Sequence, residues 1–351
     1  MSNGKSSKGL KRAGDILLQK HLAGGSTLTG ESQQFALIPE AVTAPEPTTG
    51  AEVMKRPARM VDPAIFTDSE LIRSEDILYI HSIFLQCFMP VRHNAKNKDR
   101  WETGNRNAKL LIRAGELVNP HDPGQFKQCM VPAGPKARII TAYINDYAYK
   151  NGPEVDLADS MREFMTKAGI PICGSNGKEL QRELENVAAA DIYLGIWQEG
   201  VSASQKKAPV SDEFTFWIDK NPKQGTLWKQ KMLLSQRYYQ SIMEGQHLAP
   251  IYWPAFRALQ HSPRAMDIFA FLSYRLCRIP FNKPVILKAD VLHSMFGRDI
   301  KLQKHFWPRF LTALEDAARQ YQTARYEVLN DAIKFWHSPS IIPYKKTGRI
   351  T

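Results

Sequence analysis

The chain has 351 residues, 43% of them hydrophobic and 23% charged, a globular composition whose length implies two domains of about 100–150 residues each. Its formal net charge is +12, yet residues 1–70 are balanced, with 8 basic and 8 acidic side chains. The whole excess therefore sits in residues 71–351, which argues against a basic N-terminal arm and points to a folded cationic body that meets a polyanion.

No stretch approaches the ~20 apolar residues of a bilayer span, and the first residues lack the apolar core of a secretory signal. The four cysteines, Cys87, Cys129, Cys173 and Cys277, form no CxxC pair. With no histidines at zinc-ligand spacing, a cytoplasmic protein without metal or other cofactor is expected. Residues 1–70, with a Gly/Ser/Thr stretch (Ala23 to Gly30) and a Pro/Thr/Ala stretch (Pro39 to Ala51), read as a flexible arm. Leu10, Leu17, Leu18 and Leu22 could line one face of a short helix within it.

A first domain is expected over 71–222. Ser74-Glu75-Asp76 ahead of Ile77, Leu78, Ile80, Ile83 and Phe84 predicts a helix start. His93 to Asn107 read as a polar loop, and Leu110 to Ile112 as a short strand. Pro135 suits the first position of a helix carrying Ile139, Ile140, Tyr143 and Ile144. Leu157, Met161, Phe164, Met165 and Ala168 give a helix of about three turns, ended by Gly169-Ile170-Pro171. Ser175 or Asn176 can cap the next helix, with Leu180, Leu184, Val187 and Ala188 inward and Lys178, Gln181, Arg182 and Asn186 outward. The runs Ile192–Trp197 and Phe214–Ile218 then predict a hairpin whose loop carries Lys206 and Lys207.

A second domain over 223–338 repeats the order. Met232 to Leu234 read as a strand, Pro254 to Leu259 as a short helix, and Ser262-Pro263 as the start of a helix bearing Met266, Phe269, Leu272 and Leu276. Val285 to Leu287 form a strand, Val291 to Phe296 a short helix stopped by Gly297, and Leu302 to Ala317 a longer one. Arg325 to Val328 and Ile333 to Trp336 supply another hairpin. Residues 339–351 form a basic tail. Helix, turn, helix and hairpin, twice over, is the order of tandem winged-helix domains in a mainly helical α+β chain.

In such a module the N-terminal half of the second helix enters the major groove. Arg can grip guanine and Gln or Asn adenine, while Lys neutralises phosphate. The first domain offers Ser175, Asn176, Lys178, Gln181 and Arg182, with Lys206 and Lys207 on its wing. The second offers Arg298, Lys301, Gln303, Lys304, His305 and Arg309. Pro308 removes a backbone donor inside the second reading helix; either the helix kinks there, or a turn over Lys301 to Trp307 precedes a helix that starts at Pro308. No catalytic pattern completes itself. Gly174-Ser175-Asn176-Gly177-Lys178-Glu179 has two residues between its glycines where a phosphate loop needs four, and Glu where it needs Ser or Thr. No His-x-His pair exists, His121-Asp122 lacks partner ligands, and no Gly-x-Ser-x-Gly elbow is present.

The run from Ala258 to Asp267 (Ala-Leu-Gln-His-Ser-Pro-Arg-Ala-Met-Asp) resembles the plasmid-encoded RepA replication proteins of proteobacteria. So do Phe296-Gly297-Arg298-Asp299, Val131 through Arg138, and Leu157 through Asn176; the likeness extends from about Leu78 to Pro339. The resemblance implies a non-catalytic initiator that binds repeated double-stranded sites at a plasmid origin. It further implies help in melting adjacent DNA, recruitment of host DnaA and the replicative helicase, repression of its own promoter, and an equilibrium between homodimer and monomer. A winged-helix transcriptional repressor is the first alternative, and an origin nickase or primase the second.

Overall fold

The computed structural model describes residues 72–94, 98–104, 108–119, 122, 124–158, 160–198, 202–215, 231–243 and 248–342. The leucine stripe of residues 1–70, His121, the Phe216–Ile218 end of the second strand-like run and residues 343–351 of the basic tail lie outside them. The described chain mixes helix and sheet. None of its helices is long and apolar enough to cross a membrane.

A single 3₁₀ turn, Ser74–Asp76, leads into strand β1 (Ile77–His81), where a helix is expected from the capping signal. Pairing decides the difference: β1 lies antiparallel to a segment some 170 residues on, Leu248–Tyr252, with Leu78 opposite Ile251 and Ile80 opposite Ala249. The expected polar loop contains β2 (Arg100–Gly104), whose charged residues face water while Thr103 is buried. Strand β3 (Ala108–Arg113) and the hairpin β4 (Glu116–Val118), β5 (Phe126–Gln128) follow.

Helix α1 (Gly134–Asn151) has Pro135 in its first turn and buries Ile139, Ile140 and Ile144. After β6 (Glu154–Asp156), α2 (Met161–Ala168) begins later than the apolar stripe suggests, because Ser160 caps it by accepting the Glu163 N–H at 3.2 Å and leaves Leu157 buried in extended chain. Gly169 closes α2 at φ +67°, and a Cβ there would strike the Arg257 side chain. Helix α3 (Gly174–Ala188) is capped by Cys173 without a side-chain bond, so neither Ser175 nor Asn176 is the cap.

Strands β7 (Asp191–Gln198), β8 (Ser202–Pro209), β9 (Ser211–Phe214) and β10 (Lys231–Leu234) come next. The expected hairpin of β7 with the Phe214 strand is not formed: β7 pairs with β3 and β8. Lys206 and Lys207 therefore lie on a strand, not on a loop. Likewise β10, placed by sequence at the head of the second half, pairs with β6 and β9.

Helix α4 (Gln236–Met243), β11 (Leu248–Tyr252) and α5 (Trp253–Ala258) lead to α6 (Pro263–Arg275), which Ser262 caps by accepting the Ala265 N–H at 3.3 Å. Then come β12 (Val285–Lys288), α7 (Ala289–Phe296), α8 (Gln303–Gln320), β13 (Tyr326–Val328) and β14 (Ala332–Phe335).

One pattern occurs twice. In α1-β6-α2-α3-β9-β10 the three strands form an antiparallel sheet ordered β6-β10-β9; in α6-β12-α7-α8-β13-β14 the order is β12-β14-β13. Both place the third strand in the middle. What the first unit adds is the four-stranded sheet β2-β3-β7-β8.

The two units share one apolar core running from Leu78 to Phe335. Phe88 stacks on Phe296 with centroids 4.6 Å apart. Through that core passes a buried ion pair, α1 Arg138 to α6 Asp267.

Candidate nucleic-acid interface

Only half of α3 is open to solvent. Its C-terminal half is clamped by the segment that precedes α1. The buried Glu183 accepts the Ala133 N–H at 3.0 Å and meets His93 Nε2 at 2.6 Å. Asn186, expected to face outward, is buried and accepts the Met130 N–H at 2.9 Å. Glu185 holds Lys127 at 2.5 Å and Gln181 at 2.9 Å, so the Gln181 amide is already engaged. Asn176 donates to the Pro171 carbonyl at 2.9 Å and tightens the turn ahead of the helix. Exposed on the first turns are Ser175, Lys178 and Arg182, the last 3.4 Å from Glu183 Oε1. Glu179, which would oppose an anion here, is paired with Lys136 of α1 and held below the usual carboxylate range by that bond.

The second helix is presented differently. Gln303, Lys304, His305 and Arg309 are all exposed on its first two turns, with Lys301 exposed just before them. The opposite stripe, Phe306, Phe310, Leu314 and Ala317, is buried. The helix starts at Gln303 and runs through Pro308, so the alternative of a helix that begins at Pro308 is not realised. Its ring removes the bond that an N–H would make to the Lys304 carbonyl, a loss of about 3 kcal/mol in a helix interior. Burial of two phenylalanines and a leucine, at roughly 1.5–3 kcal/mol each, outweighs it.

The turn between α7 and α8 is held by hydrogen bonds from α6 and α7. Arg264 of α6 donates to the Phe296 carbonyl at 3.0 Å and to Asp299 at 2.8 Å. His293 Nε2 contacts the Ile300 carbonyl at 2.7 Å. A Cβ at Gly297 would collide with the rings of His293 and Phe306, which gives the Phe-Gly-Arg-Asp run a packing cause. Arg298 departs from its expected part: its guanidinium donates to the Glu102 carbonyl of β2 at 2.5 Å, tying the two units together. Lys206 and Lys207 are exposed on β8, and Lys207 lies 3.7 Å from Asp191 and over the Tyr193 ring. Among the described residues no group of three or more His, Cys, Asp or Glu could hold a metal.

The family model described as "Plasmid encoded RepA protein" (RepA_C) matches residues 131–290. That segment is similar to the plasmid-encoded RepA family. The segment runs from Val131 ahead of α1 to Asp290 at the start of α7, so the match includes α3, leaves out β1 to β5 and ends before α8. Two crystal structures of RctB domains 2 and 3 are similar at 10% identity. One has a TM-score of 0.41, covering 72% of this chain and 95% of that one; the other has 0.39, covering 73% and 98%. Scores below 0.5 establish no shared fold. No curated protein matches the chain.

Proposed function

We propose that the chain is a plasmid replication initiator built on two winged-helix modules, with α3 and α8 as its reading helices in the major grooves of one intact duplex. The similarity of residues 131–290 to the plasmid-encoded RepA family supports the initiator role. The observation that carries the duplex-binding reading is the twofold helix-strand-helix-helix-strand-strand pattern, each copy baring cations on the first turns of its third helix. Action is by binding and DNA deformation, without a covalent step, at directly repeated origin sites in the cytoplasm. Recruitment of host DnaA and helicase, and exchange between dimer and monomer, belong to the same proposal.

Footprinting on the DNA that flanks the gene tests it, with protection expected over direct repeats. Lys304→Ala/Arg309→Ala should weaken site binding by about 1–3 kcal/mol for the lost base contact plus the lost phosphate contact. Unchanged affinity at about 150 mM salt would remove α8 from the interface.

Cys173 offers an independent test of α3. Its exposed thiol is lowered below the usual range by the Ser175 hydroxyl, 3.4 Å away, and by backbone N–H groups. Cys87 and Cys129 are buried, and burial pushes their thiols up to about 12 and about 11. A maleimide should label Cys173 first, and saturating duplex should slow that labelling. Labelling that is indifferent to duplex would place α3 away from DNA.

A further inference from the structure

Outside the repeated pattern lie two two-stranded pairs, β1-β11 and β4-β5, and one larger sheet, β2-β3-β7-β8, which the second unit lacks. Its inner face is apolar and buried through Leu110, Ile112, Ile192 and Ala208. The register fixes the other face. Arg100, Arg113 and Asp191 form one row, Glu102, Leu111, Tyr193 and Lys207 the next, and Lys109 lies in a third between Gly104 and Gly195. Arg100, Lys109, Arg113 and Lys207 are all exposed.

Both carboxylates on this face are engaged, Glu102 with Arg100 at 2.7 Å and Asp191 with Lys207 at 3.7 Å. Lys109 and Arg113 have no carboxylate partner among the described residues. The Arg113 guanidinium lies 5.5 Å and the Lys207 ammonium 5.3 Å from the centroid of Tyr193, which holds both charges in place before any ligand arrives. An ordinary solvated sheet face mixes both signs; this one, once its pairs are formed, is cationic. The β2 edge is also joined to the turn before α8 by the Arg298–Glu102 bond. The face thus continues directly from the second reading element.

We propose that this sheet face binds the sugar-phosphate backbone of the same duplex, beyond the bases that α8 contacts. The inference rests on the two-helix reading above. Lys109 and Arg113 stand four residues apart on β3, about 14 Å at roughly 3.4 Å per residue. A DNA strand advances about 3.4 Å per phosphate along its axis, so the pair spans about four phosphates. A second copy of this chain set face to face would oppose like charges.

The test is Lys109→Gln/Arg113→Gln, with an unchanged circular-dichroism spectrum and melting curve as the fold control. Binding is measured against salt on a long duplex that extends well past the footprint, on one trimmed to it, and on a single strand of the same length. On the long duplex the slope of log K against log salt should fall by about 2, with little change on the trimmed one. An equal slope for wild type and variant on the long duplex overturns the sheet proposal while leaving the reading helices standing. So does a loss confined to the single strand, or a wild-type chain that self-associates only while these two residues are present. A wild-type chain that binds no duplex removes both readings.

Discussion

Asp267→Ala will destabilise the chain by about 3–5 kcal/mol, the range for breaking one side of a buried ion pair. The Arg138 guanidinium is almost wholly buried and uses every face of its fork. Nε and Nη2 bind Asp267 at 2.7 and 2.6 Å, Nη1 reaches the carbonyls of Gly134 and Pro90 at 2.8 and 3.1 Å, and Nη2 reaches that of Met89 at 2.8 Å. Burial pushes the Asp267 carboxyl up, and the charge of Arg138 opposes the push. Alanine at 267 leaves a cation in the shared core with no anion. Arg138→Met/Asp267→Leu removes both charges and should lose less than the single change, although the Met89 carbonyl then loses its Arg138 donor, while that of Pro90 keeps the Gly134 N–H at 3.0 Å. Urea unfolding followed by far-ultraviolet dichroism measures both. One common core predicts one transition in which the two units unfold together. A loss under about 1 kcal/mol, or two separated transitions, would show that the pair does not hold α1 to α6.

That keystone was not readable in the sequence, since Arg138 and Asp267 lie 129 residues apart and neither carries a local signal of its partner. The second unit was nearly all legible, because its boundaries are written locally. Ser262-Pro263 starts α6, Gly297 stops α7, and the stripe Phe306, Phe310, Leu314, Ala317 defines α8 even across Pro308. The first unit hid its elaborations. Strand β2, Arg-Trp-Glu-Thr-Gly, alternates charge with partial burial and reads as a loop until β3 lies beside it. Strand β7 is apolar enough to pair with anything, and only the β8 register shows its partner. The candidate reading residues are legible as residue types on helices; tertiary contacts then divide them. Lys178, Arg182, Lys301, Lys304 and Arg309 stay exposed, whereas Arg298 is drawn into holding the units together and Gln181 into holding α3. The sheet cations Arg100, Lys109 and Arg113 carry no signal in the sequence, because a face exists only once the strands are paired.

The second large effect is on DNA affinity, which should drop about 10³–10⁵-fold between 50 and 200 mM salt if about 6–10 phosphates are neutralised. The structure allows the number to be argued. Lys178 and Arg182 stand on α3, Lys301, Lys304 and Arg309 at α8, and Lys109 and Arg113 on the sheet face. With those seven engaged, the slope of log K against log salt is about −6 at roughly 0.9 per phosphate, which over a fourfold change in salt is about 10⁴. Without the sheet pair the slope falls to about −4.5 and the loss to less than 10³. Arg298 contributes to neither figure, being held by Glu102, so Arg298→Ala should leave the slope alone and act through stability instead. Fluorescence anisotropy on a labelled site across that salt range reads the slope directly. A value shallower than about −2 would mean that at most two or so phosphates are contacted; two reading helices could not then both lie in the grooves, and the cationic body would be a solvated surface.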